Sequence, residues 1–192
     1  MPDLVAIYGS PRRDGNTSTL LARAVSGARE QGAEVKEFVL RDLKISPCLE
    51  IYGCKKDGVC VIRDDFHQVA GAILESRGLM LASPIFFYAV SAHTKAFMDR
   101  CQSLWVKKYW LEKRAGKMHS RKGFFLSVGA TKGKKLFDGT LLTVRYFFDV
   151  FDMELAQTLL LRGLDEKGEV LAHPEYLEQA RIAGADLARS VL

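Results

Sequence analysis

A polar segment between two apolar stretches carries the clearest chemical signal in the sequence. Residues 9–19 read GSPRRDGNTST; they follow the apolar run Val5 to Tyr8 and precede apolar residues at helical spacing. This order places backbone N–H groups, hydroxyls and an amide at the start of a helix, where the helix dipole favours a dianion. We therefore predict a phosphate-binding loop in which Arg12 can add a bidentate charged contact. The alternative is an ordinary loop with Asn16 or Thr17 as the helix N-cap.

The elements that position this loop follow from hydrophobic periodicity. The predicted strands are 5–8, 34–40, 79–83, 123–128 and 154–161, and the predicted helices run from the first loop to Gly32 and over 66–75, 91–101, 136–151 and 174–192. Strands that alternate with helices predict a doubly wound parallel α/β sheet with helices on both faces, in one domain over residues 1–192. If the strand order is 2-1-3-4-5, the loops after strands one, three and four meet at the edge where such sheets bind ligands.

The two other loops at that edge indicate the ligand. Loop 83–91, SPIFFYAVS, offers an aromatic wall and backbone amides, and loop 129–133, GATKG, lets a flat ring approach the backbone. A phosphate alone would not need the wall, and a dinucleotide would normally bring a Gly-x-Gly-x-x-Gly fingerprint, which the first loop lacks. The three loops together therefore suit FMN. Core packing for Phe86 and a simple turn at Thr131 are the alternatives.

Composition and charge restrict the class of protein. The chain has 192 residues, 48% of them hydrophobic, a net charge of +5 and four cysteines. No window is long and apolar enough for a membrane span and no signal-peptide pattern is visible, so we expect a cytoplasmic protein with no membrane partner. Segment 105–122 is rich in lysine and arginine, with aromatic residues among them. This pattern admits a nucleic-acid surface, but we interpret it as a solvated or subunit-contact surface because no nucleic-acid motif accompanies it.

The motifs together resemble a known family. Gly9-Ser10-Pro11-Arg12 with Gly15-Asn16-Thr17, segment 83–92, and segment 95–100, KAFMDR, are similar to the flavodoxin-like NADPH-dependent FMN reductases over nearly the whole chain. The resemblance implies a flavodoxin-like fold, bound FMN and a homodimer or homotetramer. It implies that the FMN phosphate is bound by Ser10, Arg12, Asn16, Thr17 and Ser18. It implies that the rest of the cofactor is contacted by Pro84, Ile85, Phe87, Tyr88, Ser91, Gly129, Ala130, Thr131 and Gly133.

The cysteine segment 45–65 resembles one branch of that family, the iron-sulfur flavoproteins, and also departs from it. That branch binds a [4Fe-4S] cluster through a compact C-x2-C-x2-C motif and a fourth cysteine. Cys48, Cys54 and Cys60 fit this spacing, but Ile51 occupies the second position and cannot ligate iron. Because such a cluster normally has four thiolate ligands, we predict no bound metal and interpret the segment as a long functional loop. If a cluster is present, these three cysteines are its ligands, with Glu50 or an external group as the fourth.

The sequence therefore predicts an FMN-dependent oxidoreductase that transfers electrons from NAD(P)H to flavin, a quinone or another small acceptor. No protein acid or base is required, because the flavin carries the chemistry. One rival hypothesis is an electron carrier of the iron-sulfur flavoprotein type, supplied by a ferredoxin-like protein. The other is a regulatory module that binds nucleic acid through segment 105–122.

Overall fold

A computed structural model describes residues 1–114 and 121–192 of the chain. Its strands are β1 (Leu4–Tyr8), β2 (Val35–Val39), β3 (Gly78–Pro84), β4 (Arg121–Gly129) and β5 (Met153–Arg162). They form one sheet in the order β2-β1-β3-β4-β5, and every neighbouring pair is parallel. Both the doubly wound α/β fold and the predicted strand order are confirmed.

The helices cover both faces of this sheet. They are α1 (Asn16–Glu30), α2 (Phe66–Glu75), α3 (Ala92–Arg100), α4 (Gln102–Trp105), α5 (Asp138–Val150) and α6 (Pro174–Val191). A π-helical segment, Val106–Leu111, continues α4, and neither was predicted; residues 115–120 of the basic segment lie outside the described residues. Within the described ranges, no helix combines the length and apolar character that a membrane span needs.

The start of α1 corrects one sequence-based interpretation. Gly15, not Asn16 or Thr17, is the N-cap, and it has no side chain with which to accept a bond from the first turn. The Asn16 side chain is used elsewhere: its amide donates to the Glu166 carbonyl over 2.9 Å, and its oxygen accepts from the Val170 N–H over 3.1 Å. The alternative of a capped loop therefore does not hold, and the Asn16 side chain is unavailable as a cap because a partner distant in sequence takes it.

Two apolar layers enclose the sheet, as the period of two along each strand requires. On β1, Leu4 and Ala6 face the layer that α1 and α6 cover, whereas Val5 and Ile7 face the layer that α2, α3 and α5 cover.

Helices α1 and α6 approach each other so closely that two glycines are needed at their contact. A Cβ atom on Gly27 would lie 1.9 Å from the Arg181 carbonyl oxygen, and one on Gly184 would lie 1.8 Å from that of Ala24. The two backbones therefore touch directly.

Candidate functional site

A cleft of about 220 Å³ lies at the carboxyl ends of the strands, where the sequence placed the site. The loops after β1, β3 and β4 all contribute to it, and so does the loop after β5. Its lining residues are Ser10, Pro11, Arg12, Gly15, Asn16, Thr17, Pro84, Ile85, Phe86, Val128, Ala130, Leu164 and Asp165. Seven of the predicted residues line the cleft, namely Ser10, Arg12, Asn16, Thr17, Pro84, Ile85 and Ala130. Phe86 was expected in the aromatic wall, with core packing as the alternative, and it lines the cleft. The lining residues that sequence reasoning did not propose are Pro11, Gly15, Val128, Leu164 and Asp165.

One end of the cleft has the features of an anion site. The N-terminus of α1 opens into it, and because Gly15 provides no capping side chain, the N–H groups of the first turn remain available to a ligand. Around them, Ser10 Oγ accepts a bond from the Arg12 N–H at 3.1 Å, and Ser18 Oγ donates to the Arg12 carbonyl at 3.0 Å. These bonds fix the backbone of the loop and leave the exposed guanidinium of Arg12 at the cleft wall, 3.5 Å from the Asp165 carbonyl. The donor set fits a phosphate group.

Buried hydroxyl groups fasten the three predicted loops to one another. Ser127 Oγ donates to the Ser83 carbonyl at 2.7 Å, and Ser83 Oγ accepts from the Ser91 N–H at 2.9 Å. Ser91 Oγ then donates to the Gly9 carbonyl at 2.5 Å and caps α3 by accepting from the Thr94 N–H at 3.2 Å. Ser91 is thus buried beneath the cleft and does not line it. In the sequence, Ser83 and Ser127 each follow an apolar run of a strand, and this pattern could have indicated that they link the loops.

The aromatic residues after β3 form a tight turn with an unusual backbone. Phe86 and Ala89 exchange both of their backbone hydrogen bonds, at 2.9 and 3.0 Å, while Phe87 and Tyr88 between them have φ angles of 50° and 60°. Positive φ at both central residues is the pattern of a type I′ turn, which non-glycine residues adopt only at an energetic cost. The turn is held by Thr140, whose hydroxyl donates to the Tyr88 carbonyl at 2.9 Å. Phe86 lines the cleft, whereas Phe87 is fully exposed and Tyr88 is 59% exposed beside it.

The loop after β4 approaches the cleft through its backbone. Ala130 lines the cleft, whereas Gly129, Thr131 and Gly133 do not. A Cβ atom on Gly129 would lie 2.6 Å from a methyl carbon of Leu136, which explains the glycine there. The Arg162 guanidinium on β5 donates to the Gly133 carbonyl at 3.2 Å and so ties this loop to the edge strand.

A buried arginine holds the cysteine segment against α3. Arg100 is 1% exposed, and each of its three guanidinium nitrogens has an acceptor. The acceptors are Cys60 Sγ at 3.2 Å, the carbonyls of Ser46 at 2.9 Å and Ile62 at 3.0 Å, and the two carboxylate oxygens of Asp64 at 2.7 and 3.2 Å. Burial alone would raise the pKa of Asp64, but its hydrogen bonds, led by those from Arg100, hold the pKa below the ordinary value.

The cysteines themselves do not form a metal site in this arrangement. Cys48, Cys54 and Cys60 line one cavity together with Ile51, but within residues 1–114 and 121–192 no three His, Cys, Asp or Glu side chains are grouped to hold a metal ion. Cys101 does not line this cavity, and its burial raises the pKa of its thiol well above the ordinary value. The residues present therefore do not fit a four-thiolate cluster.

Comparison with known proteins establishes the family. A sequence model described as NADPH-dependent FMN reductase matches residues 2–155. The chain belongs to the NADPH-dependent FMN reductase family. The predicted resemblance is thereby confirmed, and the predicted FMN-dependent oxidoreductase is confirmed at the level of the family.

The relatives of this family member include the branch that the cysteines suggested. An iron-sulfur flavoprotein of Methanocaldococcus jannaschii is 32% identical over 151 residues, which make up 78% of this chain and 73% of that protein. An iron-sulfur flavoprotein of Archaeoglobus fulgidus is 39% identical over 106 residues, 55% of this chain and 54% of that protein, so the match spans about half of each. Among solved structures, a flavone reductase superposes with a TM-score of 0.73 at 19% identity, over 98% of this chain and 62% of that one. That likeness supports the fold alone.

Proposed function

We propose that this protein binds FMN in the cleft and uses it to pass electrons from NAD(P)H to a small-molecule acceptor such as a flavin or a quinone. The observation that carries the proposal is the uncapped N-terminus of α1, which opens into the cleft beside Ser10, Arg12 and Thr17. Bound FMN would supply the redox chemistry. The chain's own residues would hold the phosphate at α1 and present the loops after β3 and β4 to the rest of the cofactor.

The phosphate assignment is tested by a pair of neighbouring arginines. Arg12 lines the cleft, whereas Arg13 points away and forms an ion pair with Asp42 at 2.7 Å. Because a hydrogen bond to a charged group contributes about 1.5–3 kcal/mol, Arg12→Ala should weaken FMN binding by about 10- to 100-fold. Arg13→Ala should leave the affinity within about twofold, since exposed ion pairs contribute little. FMN affinity is measured by quenching of FMN fluorescence. Equal affinity in both variants would contradict the assignment of the FMN phosphate to this loop.

The electron donor is tested separately from cofactor binding. FMN-loaded protein is mixed with NADPH or NADH in the absence of oxygen, and the flavin absorbance is followed. Rapid bleaching with either nucleotide supports the reductase. A stable flavin spectrum with both would favour the rival hypothesis, an electron carrier supplied by a ferredoxin-like protein.

The observation that favours this rival is the cysteine segment, since Cys48, Cys54 and Cys60 lie around one cavity. Protein isolated without air should contain FMN and no stoichiometric iron or acid-labile sulfide, because Ile51 stands in place of one of the four thiolates. Ile51→Cys should then gain the capacity to bind iron and sulfide. Stoichiometric iron and sulfide in the natural protein would contradict the reductase hypothesis and support the electron-carrier hypothesis.

We further propose a homodimer or homotetramer in the cytoplasm. Helix α5 presents the exposed apolar side chains of Leu142 and Tyr146. Apolar surface of this kind commonly marks contacts between subunits. The four described cysteines are all free thiols, in keeping with a reducing compartment. A monomeric mass by light scattering at micromolar concentration, with FMN bound, would contradict the proposed assembly.

A further inference from the structure

A second cavity, separate from the flavin cleft, lies inside the cysteine segment. It measures about 360 Å³ and shares no lining residue with the cleft. Its walls are the loop around Ile51 and Tyr52 on one side and Trp105 and Trp110 on the other. We call it the cysteine cavity. Cys60 lines this cavity and contacts Arg100, the last residue of α3. The N-terminus of α3 lies beside the cleft, and the nine-residue helix is about 13 Å long.

The walls of the cysteine cavity are already in place. Arg100 fixes one side of the loop at Ser46, Cys60, Ile62 and Asp64 with the bonds described above. The other side of the loop packs closely against Lys107 at Gly58, where an added Cβ would lie 2.5 Å from the Lys107 Cβ.

The backbone of the lining is also strained. Glu50 and Tyr52 have φ angles of 50° and 62°, and the opposite wall includes part of the π-helical segment. Strained residues and π-helical turns persist mainly at functional sites.

The chemistry of the lining selects an aromatic molecule with a negative charge. Aromatic rings and polarizable thiols from Tyr52, Trp105, Trp110 and the three cysteines offer favourable contacts to a flat ring. The Lys55 ammonium lies 4.0 Å from the Tyr52 ring centre and 5.3 Å from that of Trp110. Among the described residues, the Lys55 ammonium forms no ion pair with a carboxylate. Glu50, the acidic residue of the lining, is not paired with Lys55 either.

We propose that the cysteine cavity binds a planar aromatic compound that carries an anionic group. The rings lie between the tryptophans and the Ile51–Tyr52 wall, and the anionic group contacts Lys55. The volume and the lining of the cysteine cavity suit such a ligand, since small-molecule sites of this size are mostly apolar and carry a few polar groups. Ile51 is the residue that distinguishes this site from a cluster site: it removes a thiolate and adds apolar surface.

The two tryptophans make this proposal directly measurable, because the chain has no others and both line the cavity. The probe is anthraquinone-2-sulfonate, added to oxidised FMN-loaded protein while tryptophan emission is recorded. The expected result is saturable quenching with one site per chain and no release of FMN. The neutral 2-(hydroxymethyl)anthraquinone should bind about tenfold more weakly, and Lys55→Gln should abolish that preference.

A matched pair of substitutions locates the probe. Ile51→Phe fills the cavity and should weaken binding about tenfold. Ile182→Phe makes the same change at an exposed position on α6 and should leave binding unchanged. Absent or unsaturable quenching, equal binding by both variants, or competition between the probe and FMN would each overturn the proposal. Iron and sulfide in stoichiometric amounts in protein isolated without air would also overturn it, and so would quenching that requires the chain to associate with itself.

Discussion

The guanidinium of Arg100 provides the sharpest test of how the cysteine segment is held. Arg100→Met would leave the Asp64 carboxylate, whose side chain is 12% exposed, without its cationic partner. Removal of one member of a buried ion pair typically lowers the free energy of unfolding by about 3–5 kcal/mol. With a urea dependence of about 2 kcal/mol per molar, the midpoint of urea unfolding at pH 7 should fall by about 2 M.

The pH dependence of this loss separates the ion pair from the loss of side-chain contacts. The pKa of Asp64 is lowered in the folded protein, so the stabilisation is complete above the unfolded-state pKa of about 3.9 and disappears as the pH falls through the folded-state value. The gap between natural protein and variant should therefore narrow as the pH falls below about 4.

Two further variants complete this test. Asp64→Asn in the Arg100→Met background removes the buried charge and should recover part of the lost stability. Arg63→Met, the same change at an exposed neighbour, is the control and should shift the midpoint little. A shift below about 0.5 M for Arg100→Met, or an equal shift at pH 7 and pH 3, would refute the reasoning.

Three other predictions concern backbone strain, helix contact and thiol accessibility. Tyr88→Gly should relieve the positive φ of 60° and raise the melting temperature of the cofactor-free protein by about 2–4 °C; a lower value in calorimetry would mean that the side chain compensates for the strain. Gly184→Ala should lower the free energy of unfolding by about 2 kcal/mol or more in urea titration, because its Cβ meets a carbonyl oxygen, whereas Gly71→Ala, which meets nothing within 4 Å, should cause no loss. An aromatic disulfide reagent should modify the partly exposed Cys48, Cys54 and Cys60 in the native protein and the buried Cys101 only after denaturation; native modification of the fourth thiol would contradict the burial.

The sequence was sufficient for the sheet because each strand carries its own local signal. Residues 79–82 are apolar throughout and buried in the centre, and the alternation along β1 fixes which side chain faces which layer. The π-helical segment has no such signal. Lys108 within it is buried because the carboxylates of Asp149 and Asp152 lie 3.1 Å from its ammonium, and these partners lie far along the chain. From the basic stretch alone we expected Lys108 to face solvent, whereas in the structure it is buried and ion-paired.

The candidate site was predictable in its position and less so in its details. The rule that ligands bind at the carboxyl ends of strands located the loops after β1, β3 and β4, and applied once more it would have included Leu164 and Asp165 after β5. The orientation of Phe87 could not be read from its type, since it depends on the hydrogen bonds that close the turn and on Thr140. The partner of Asn16 at Glu166 is 150 residues away and equally invisible to local patterns.

The glycine contact between α1 and α6 bears on how the chain folds during synthesis. Helix α1 leaves the ribosome well before α6, yet Gly27 and Gly184 place the two helices in direct contact over one face of the sheet. Until residues 174–191 emerge, the apolar side chains of Leu20, Leu21 and Met80 have an incomplete cover. We therefore expect folding to finish only after translation has passed α6, with a nascent chain that needs protection from aggregation until then. A chain cut at residue 173, just before α6, would remain in that exposed state.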